Sequence, residues 1–508
     1  MKKIVVALIC SGIALAYATD DITVVEINDF HGQMQPHKNM VGAAKIASFL
    51  QEYRKQYPNL VIVSGGDNYQ GTAISNLSKG AVVNDFFNYI GMSYSAIGNH
   101  DFDYGQAVFE SWNKANQFKF VAANVIESAT GKVVNYAVPY GQLQLPSSKK
   151  IAFIGLATLE TPETTAIKNI QGLDFVDPVP AANKWVDFLN SKDNKQGKPD
   201  VIVLLTHIPT EQESGGKIIY DPNTKLGMSE IKYVTKNVHG IKAVLTGHSH
   251  MVVDGYLNGA AVVQGASQGK DLSVLHIDCH TKASCSVTPE IINLSKATES
   301  VPADGYINKL IDKYYQQNQA ILNQKITTSA LALSNMPESG FYNIKLTYAI
   351  ADVLRKSTNS DVALQNTYGI RRSLPAGTID YNMLYEAMPF DNTVVTAKIN
   401  GKELLSLIRH SLPTGATQLG VFAGISLTLD SKGNIDKVLV NGKPLDINKT
   451  YSIATLDFLI NGGDGFDFKT ATAIDNTNIP VRDVIKQDWQ KNGIKLSPQW
   501  QYITLETK

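Results

Sequence analysis

In the stretch AIGNHDFDYG, residues 96–105, a histidine and two carboxylates stand between glycines directly after a short apolar run. His100 and Asp103 are of the types that hold and move a proton, and Asn99 offers a neutral oxygen to a cation. Polar clusters of the same kind follow other apolar runs: Asp29 and His31 in NDFHG, Asp67 in GGDNYQG, His207 in LTHIP, and His248 and His250 in TGHSHM. Five of the ten histidines therefore share one setting, the carboxyl end of a β-rich run. Carboxylate, imidazole and amide ligands together suit Zn²⁺, Mn²⁺ or Co²⁺ better than Ca²⁺, and this many imidazoles disfavour Mg²⁺. Asp29 and His31, like His248 and His250, are two apart, so in an extended strand each pair faces one way and can grip one ion. Taken singly each residue has a plainer role open to it, such as a turn cap for Asp29 or a turn between Gly98 and Gly105 for GNHD. Taken together they point to a metal centre. Two ions sharing an aspartate, for which Asp67 is the candidate, would stand about 3.5 to 4 Å apart, polarise one phosphate oxygen and acidify a shared water.

Such residues need a scaffold that brings distant segments together. The runs ITVVEIND (22–29), LVIVSGGD (60–67), YSAIGNHD (94–101), IAFIGLAT (151–158), VIVLLTHI (201–208) and AVLTGHSH (243–250) alternate with helix-like segments such as 41–57 and 79–91. This predicts α/β layers around largely buried sheets, whose carboxyl-end loops converge in space. Near residue 300 the pattern changes. A polar, solvent-exposed helix is expected over 303–322 as an interdomain connector, then a helix over 345–358 and strands separated by turns such as DSKGNI and VNGKPLD. The expected division is a leader over 1–18, a layered α/β domain over 19–300, a connector over 301–329 and a second α/β domain over 330–508.

The chain's 508 residues exceed a single core, and 46 basic residues balance 46 acidic ones, which argues against a nucleic-acid polymer as partner. The opening MKKIVVALICSGIALAYA reads as a secretory signal peptide cut before Thr19, with a lipid-modified Cys10 as the weaker alternative. No later apolar run is long enough for a transmembrane anchor, so the expected location is the periplasm or outside the cell. There Cys279 and Cys285, six apart, are expected to form a local disulfide at a hairpin rim, although His280 between them leaves a metal pair open.

The ordered set NDFHG, GGDNYQG, GNHDFDYG, AAN (122–124), TH (206–207) and GHSH resembles the motifs of calcineurin-like metallophosphoesterases. With the second domain, nearly the whole chain resembles secreted 5′-nucleotidases and bacterial UDP-sugar hydrolases. The resemblance implies one metal at Asp29, His31, Asp67 and His250, and another at Asp67, Asn99, His207 and His248, probed first as zinc with manganese or cobalt as alternatives. It makes His100, paired with Asp103, a stabiliser of the phosphoryl transition state rather than a ligand. In the second domain it implies that Asn366 meets the nucleoside, Arg371 grips phosphate, Phe390 and Phe458 sandwich the base, and Asp464 bonds the ribose hydroxyls. A further phosphate-facing arginine common in the family has no counterpart in ESGFYNIKLTYAIAD, and Lys345 or Arg372 is the expected substitute.

The function expected from these residues is hydrolysis of nucleoside 5′-monophosphates such as AMP, with domain closure around the substrate. UDP-sugars, nucleoside di- or triphosphates and 2′,3′-cyclic nucleotides are the alternative substrates, and a non-enzymatic periplasmic nucleotide-binding protein is the alternative class. The oligomeric state is not legible in the sequence.

Overall fold

The computed structural model describes residues 22–212, 218–219, 229–281, 284–337, 343–412, 418–497 and 500–505. The leader assigned to 1–18 and Cys10 lie outside the described residues. Two six-stranded sheets form the first half. One runs Ser284–Asn293, Asp271–Thr281, Ile22–Ile27, Leu60–Ser64, Met92–Ala96, Lys119–Val121, and the other Val253–Leu257, Ala260–Gln264, Ala243–Leu245, Val201–His207, Lys150–Ala157, Tyr140–Gln144.

The strand Ile22–Ile27 shows why these runs are apolar throughout. Val24 enters the core between the sheets with Val61, Phe153 and Leu205, while Val25 and Ile27 face the helix side with Ile46, Leu50 and Phe87. Both faces are covered, so alternation disappears. The central pairings Ile22–Ile27 with Leu60–Ser64, Leu60–Ser64 with Met92–Ala96, and Val201–His207 with both Lys150–Ala157 and Ala243–Leu245 are parallel. Their carboxyl ends therefore emerge along one edge, where the polar clusters meet.

Helix Gly305–Leu322 differs from the exposed connector that its Lys, Gln and Asn content suggests. Asp304 caps it by accepting from the Tyr306 and Ile307 amides at 2.8 and 3.0 Å, and Ile307, Leu310 and Ile311 are buried in the first half's core. Their spacing is that of an amphipathic stripe. The helix packs on helices Ala43–Gln56, Ala73–Leu77 and Ala81–Ile90 and also meets Tyr381–Ala387 of the second half. The second half starts at strand Lys325–Ser329, ahead of residue 330, because that strand pairs with Gly377–Asp380.

A five-stranded sheet, Gly420–Ala423, Val362–Asn366, Thr450–Leu456, Thr393–Asn400, Thr472–Pro480, carries the second half's core, with helix Lys345–Ser357 packed on its first two strands. A four-stranded sheet, Lys443–Pro444, Ile435–Val440, Ile425–Leu429, Ile503–Leu505, lies beside it. Cys279 and Cys285 are cross-strand partners in the Asp271–Asn293 hairpin and form a disulfide.

Candidate functional site

The loops after strands Ile22–Ile27 and Leu60–Ser64 zip together at the carboxyl edge: the amides of Asp29, His31 and Gly32 donate to the carbonyls of Gly66, Asp67 and Asn68 at 3.0, 3.0 and 2.8 Å. Asp29, His31, Asp67, His248 and His250 all adopt left-handed backbone, with φ of 48°, 49°, 54°, 77° and 58°. Non-glycine residues avoid this region, each at a cost of roughly 1 kcal/mol or more, so the surrounding hydrogen bonds must hold them there. Asp101 is one such support. Its buried carboxylate accepts from the amides of Asp67, Asn68 and Gly98 at 3.1, 2.8 and 2.9 Å. Gly98 is required for the approach itself, since a Cβ there would lie 2.1 Å from Asp67 Oδ1.

Two groups of ligand atoms result, Asp29 with His31 and His250, and Asp67 with His207 and His248. In the first, His31 Nε2 lies 3.0 Å from His250 Nε2, and His250 Nε2 lies 3.3 Å from Asp29 Oδ1. In the second, His207 Nε2 lies 3.2 Å from Asp67 Oδ2 and 3.1 Å from Asn99 Oδ1, and His248 Nδ1 lies 2.9 Å from Asn99 Oδ1. Asp67 Oδ2 is also 3.9 Å from His31 Nε2, which sets it between the groups. One geometric expectation is corrected. His248 and His250 do not grip one ion together: both lie beyond the strand end in left-handed backbone, where alternation no longer applies, and they join different groups.

These residues fit divalent cations. His31 Nδ1 donates to Gln70 O and His207 Nδ1 to Gly65 O, each at 2.8 Å, so both rings turn an Nε2 lone pair inward. Burial and neighbouring His250 hold the His31 imidazole well below its ordinary range. Burial opposes ionisation of Asp29, yet His250 and His207 draw its carboxyl down to about 2. Burial likewise opposes charge on His207, but the Asp67 and Asp29 carboxylates outweigh it and push the imidazole up to about 10. Ionised carboxylates facing a ring that binds a proton this tightly form a site where a cation can replace that proton.

Beside the groups, His100 Nδ1 meets Asp103 Oδ2 at 2.9 Å, and the His100 amide donates to Asp67 Oδ1 at 2.8 Å. Burial works against the imidazolium, but Asp103 and Asp67 prevail and raise the ring above its ordinary value. A cavity of about 430 Å³ lies against His100, Asp103, Asp67, Asn99, His248 and His250, and its opposite wall is built by Asn366, Arg371, Phe390, Phe458 and Asp464. Asp29, His31 and His207 stand behind that wall, 0, 2 and 0 % exposed. Arg371 places its guanidinium 5.5 Å from the Phe390 ring centre, and that ring lies 5.3 Å from the His100 ring. Asn366 Nδ2 donates to Asp464 Oδ2 at 2.6 Å. Asp464 has φ 53°, and its carbonyl accepts from His410 Nε2 at 2.9 Å.

Arg372 does not line the cavity. Its guanidinium donates to the Glu386 carboxylate and the Gln33 side-chain oxygen, tying the two halves together instead of facing phosphate. Lys345 lies over the Trp500 ring at 4.9 Å, also away from the cavity. Asn124 of the AAN motif is structural, exchanging bonds with the Ala157 backbone at 2.8 and 2.9 Å. Four acidic residues of the cavity wall, Glu160, Glu211, Glu230 and Asp391, carry no sequence signal of the kind above, and two of them are held by the loops around the ligand groups. Glu160 Oε2 lies 3.1 Å from His248 Nε2, and Glu230 accepts from Thr158 Oγ1 at 2.7 Å and the Leu159 amide at 3.1 Å. Glu160 stands just past the apolar run IAFIGLAT, so the rule that exposed the other clusters reaches it when extended by two residues.

Comparison with known proteins adds an independent line. The calcineurin-like phosphoesterase family matches residues 22–252, and the C-terminal domain of 5′-nucleotidases matches residues 327–471. The chain is 27 % identical to protein UshA of Yersinia enterocolitica over 533 aligned residues, covering 96 % of this chain and 95 % of that protein. It is 26 % identical to a 5′-nucleotidase of Vibrio vulnificus over 520 residues, covering 94 and 92 %. Its fold matches the crystal structure of a 5′-nucleotidase precursor from Thermus thermophilus with a TM-score of 0.79 at 23 % identity, covering 96 % of this chain and 99 % of that one.

Proposed function

The chain belongs to the 5′-nucleotidase family of calcineurin-like metallophosphoesterases, a family of hydrolases, and we propose that it hydrolyses nucleoside 5′-monophosphates to nucleoside and phosphate outside the cytoplasm. One observation carries the substrate reading: a single cavity is walled on one side by candidate metal ligands with His100, and on the other by Arg371 and the nucleoside-type contacts. Asp29, His31, Asp67 and His250 would hold one divalent cation, and Asp67, Asn99, His207 and His248 another, with zinc first and manganese or cobalt next. When bound, such ions supply Lewis-acid polarisation of a phosphoryl oxygen and acidification of water.

The protein's own groups supply the rest. Arg371 offers a fork of donors to the phosphoryl group. His100, with Nδ1 engaged by Asp103, keeps Nε2–H for an equatorial phosphoryl oxygen or for the departing 5′-oxygen. Phe390 and Phe458 give planar faces to the base without demanding one edge pattern. Asp464, oriented by Asn366, accepts from ribose hydroxyls. The Arg372–Gln33 and Lys168–Asp457 contacts, the latter at 3.1 Å, belong to a closed arrangement that opens for exchange of substrate and product. The proposed leader, cut before Thr19, sends the protein out of the cytoplasm. No helix among the described residues is long and apolar enough to cross a membrane.

The test is consumption of AMP, ADP, ATP, UDP-glucose and 2′,3′-cyclic AMP with chromatographic identification of the products alongside inorganic phosphate release, and with bound metals quantified in the same preparation. Metal-dependent release from AMP is the expected result. Rapid cleavage of UDP-glucose without release from AMP would overturn the monophosphate assignment, and AMP binding without any turnover would make the protein a nucleotide receptor.

A further inference from the structure

A neutral imidazole can carry its proton on either nitrogen, and only one tautomer leaves the lone pair that faces the ligand group. For His31 and His207 the choice is made by backbone carbonyls. His248 is arranged differently. Its Nδ1 faces Asn99 Oδ1 at 2.9 Å and His207 Nε2 at 3.3 Å, while its Nε2 points away to Glu160 Oε2 at 3.1 Å. The outer partner of this ring is thus a full negative charge rather than a peptide dipole.

The carboxylate is itself held. Glu160 precedes the short helix Thr161–Thr164, and its carbonyl accepts from the Glu163 and Thr164 amides at 2.8 and 3.1 Å. Its own amide donates to Thr158 Oγ1 at 3.2 Å. That hydroxyl donates to the Glu230 carboxylate, which also takes the Leu159 amide and is 2 % exposed. A buried anchor therefore fixes the turn from which Glu160 reaches the ring.

We propose that Glu160 is a positioning residue for one of the two cation sites, locking His248 in the tautomer that presents Nδ1 to the Asp67, Asn99 and His207 group. The inference rests on the dimetal reading above. It assigns Glu160 no contact with the cation, because the carboxylate meets the far edge of the ring. Outer carboxylates of this kind raise the basicity of a ligating histidine, and their loss typically lowers metal affinity by about 10- to 100-fold.

The experiment is titration of the full-length protein with Zn²⁺ or Mn²⁺ against a competing chelator, for wild type, Glu160→Ala and Glu160→Gln, alongside thermal melting and AMP kinetics at saturating metal. Wild type is expected to bind two ions. Glu160→Ala should weaken one of them by about 10- to 100-fold and leave the other unchanged. Glu160→Gln should fall between, since its amide oxygen still accepts Nε2–H without the charge. With excess metal, Glu160→Ala should recover most of its kcat at an unchanged KM for AMP. Wild-type affinity for both ions in Glu160→Ala would overturn the assignment. Equal weakening of both ions with a lowered melting temperature would also overturn it, by making Glu160 a support of the loop as a whole. A wild type binding fewer than two ions would remove the dimetal reading, and this inference with it.

Discussion

The two walls of the cavity are built on opposite principles. On the first, Asp29, His31, Asp67, Asn99 and His207 are at most 2 % exposed, and most ligand candidates are pinned in left-handed backbone at the ends of buried parallel strands. On the second, Asn366 is 3 % exposed at a strand end and Asp464 shares the left-handed backbone, but Phe390, Phe458 and Asp464 are only partly buried on loops and short helical turns, and Tyr368, two residues from Asn366, is 49 % exposed. A cation is recognised by fixed distances, so its cage must be complete before anything binds. A nucleoside is recognised by flat faces and a few hydrogen bonds, which loops can bring up afterwards. The contrast assigns chemistry to the rigid wall and selectivity to the adjustable one.

The sharpest way to break that division is Asp67→Ala. Because Asp67 lies between both ligand groups, at 3.2 Å from His207 and 3.9 Å from His31, the variant should lose at least one ion and about 10³-fold or more in turnover on every substrate alike. Metal analysis with kinetics on AMP and on a small artificial phosphate ester reads both effects. An active variant retaining two ions would remove Asp67 from the centre.

Phe458→Ala should act on one substrate only. Stacking on one aromatic face contributes about 1–3 kcal/mol, so kcat/KM for AMP should fall by about 10- to 100-fold while the small ester is little affected. The ring is seated against Gly463, where a Cβ would come within 2.5 Å of its edge. Equal losses on both substrates would show that the second wall is not selective.

Glu230→Gln tests a smaller effect, on stability. Burial pushes the Glu230 carboxyl up to about 7, above the ordinary 4.5 of the unfolded chain. Between those values the folded protein binds more protons than the unfolded one, so the group lowers stability as pH rises toward 7, and the deficit is complete above it. Glu230→Gln should therefore be more stable than wild type at pH 8, by at most about 3 kcal/mol, with the difference fading toward pH 4.5. Denaturant unfolding at both pH values measures it, and a constant offset would assign the effect to packing.

The walls also differed in how far the sequence alone could reveal them. The ligand candidates were visible because one feature, a polar cluster closing an apolar run, recurs along the chain, and parallel strands force such ends together. Asn366, Arg371, Phe390, Phe458 and Asp464 have no common pattern; family resemblance alone singled them out. Which ligand group each histidine joins depends on backbone that turns left-handed after the strand, which spacing does not encode: the two-residue spacing alone pairs His248 with His250, whereas the assignment implied by the resemblance separates them as the structure does. Arg372 was misread for a similar reason: its partner Gln33 lies 339 residues away, and no local signal reports that contact. In helix Gly305–Leu322 the stripe of Ile307, Leu310 and Ile311 was present but masked by the polar residues around it.

A crystal structure of the metal-loaded protein with a non-hydrolysable phosphonate analogue of AMP tests the shared cavity most directly. The account predicts one ion at each ligand group, the phosphonate between Arg371 and His100, and the base against Phe458. Ions bound away from Asp29, Asp67, His207 and His248, or a nucleoside seated outside the Asn366–Asp464 wall, would contradict it.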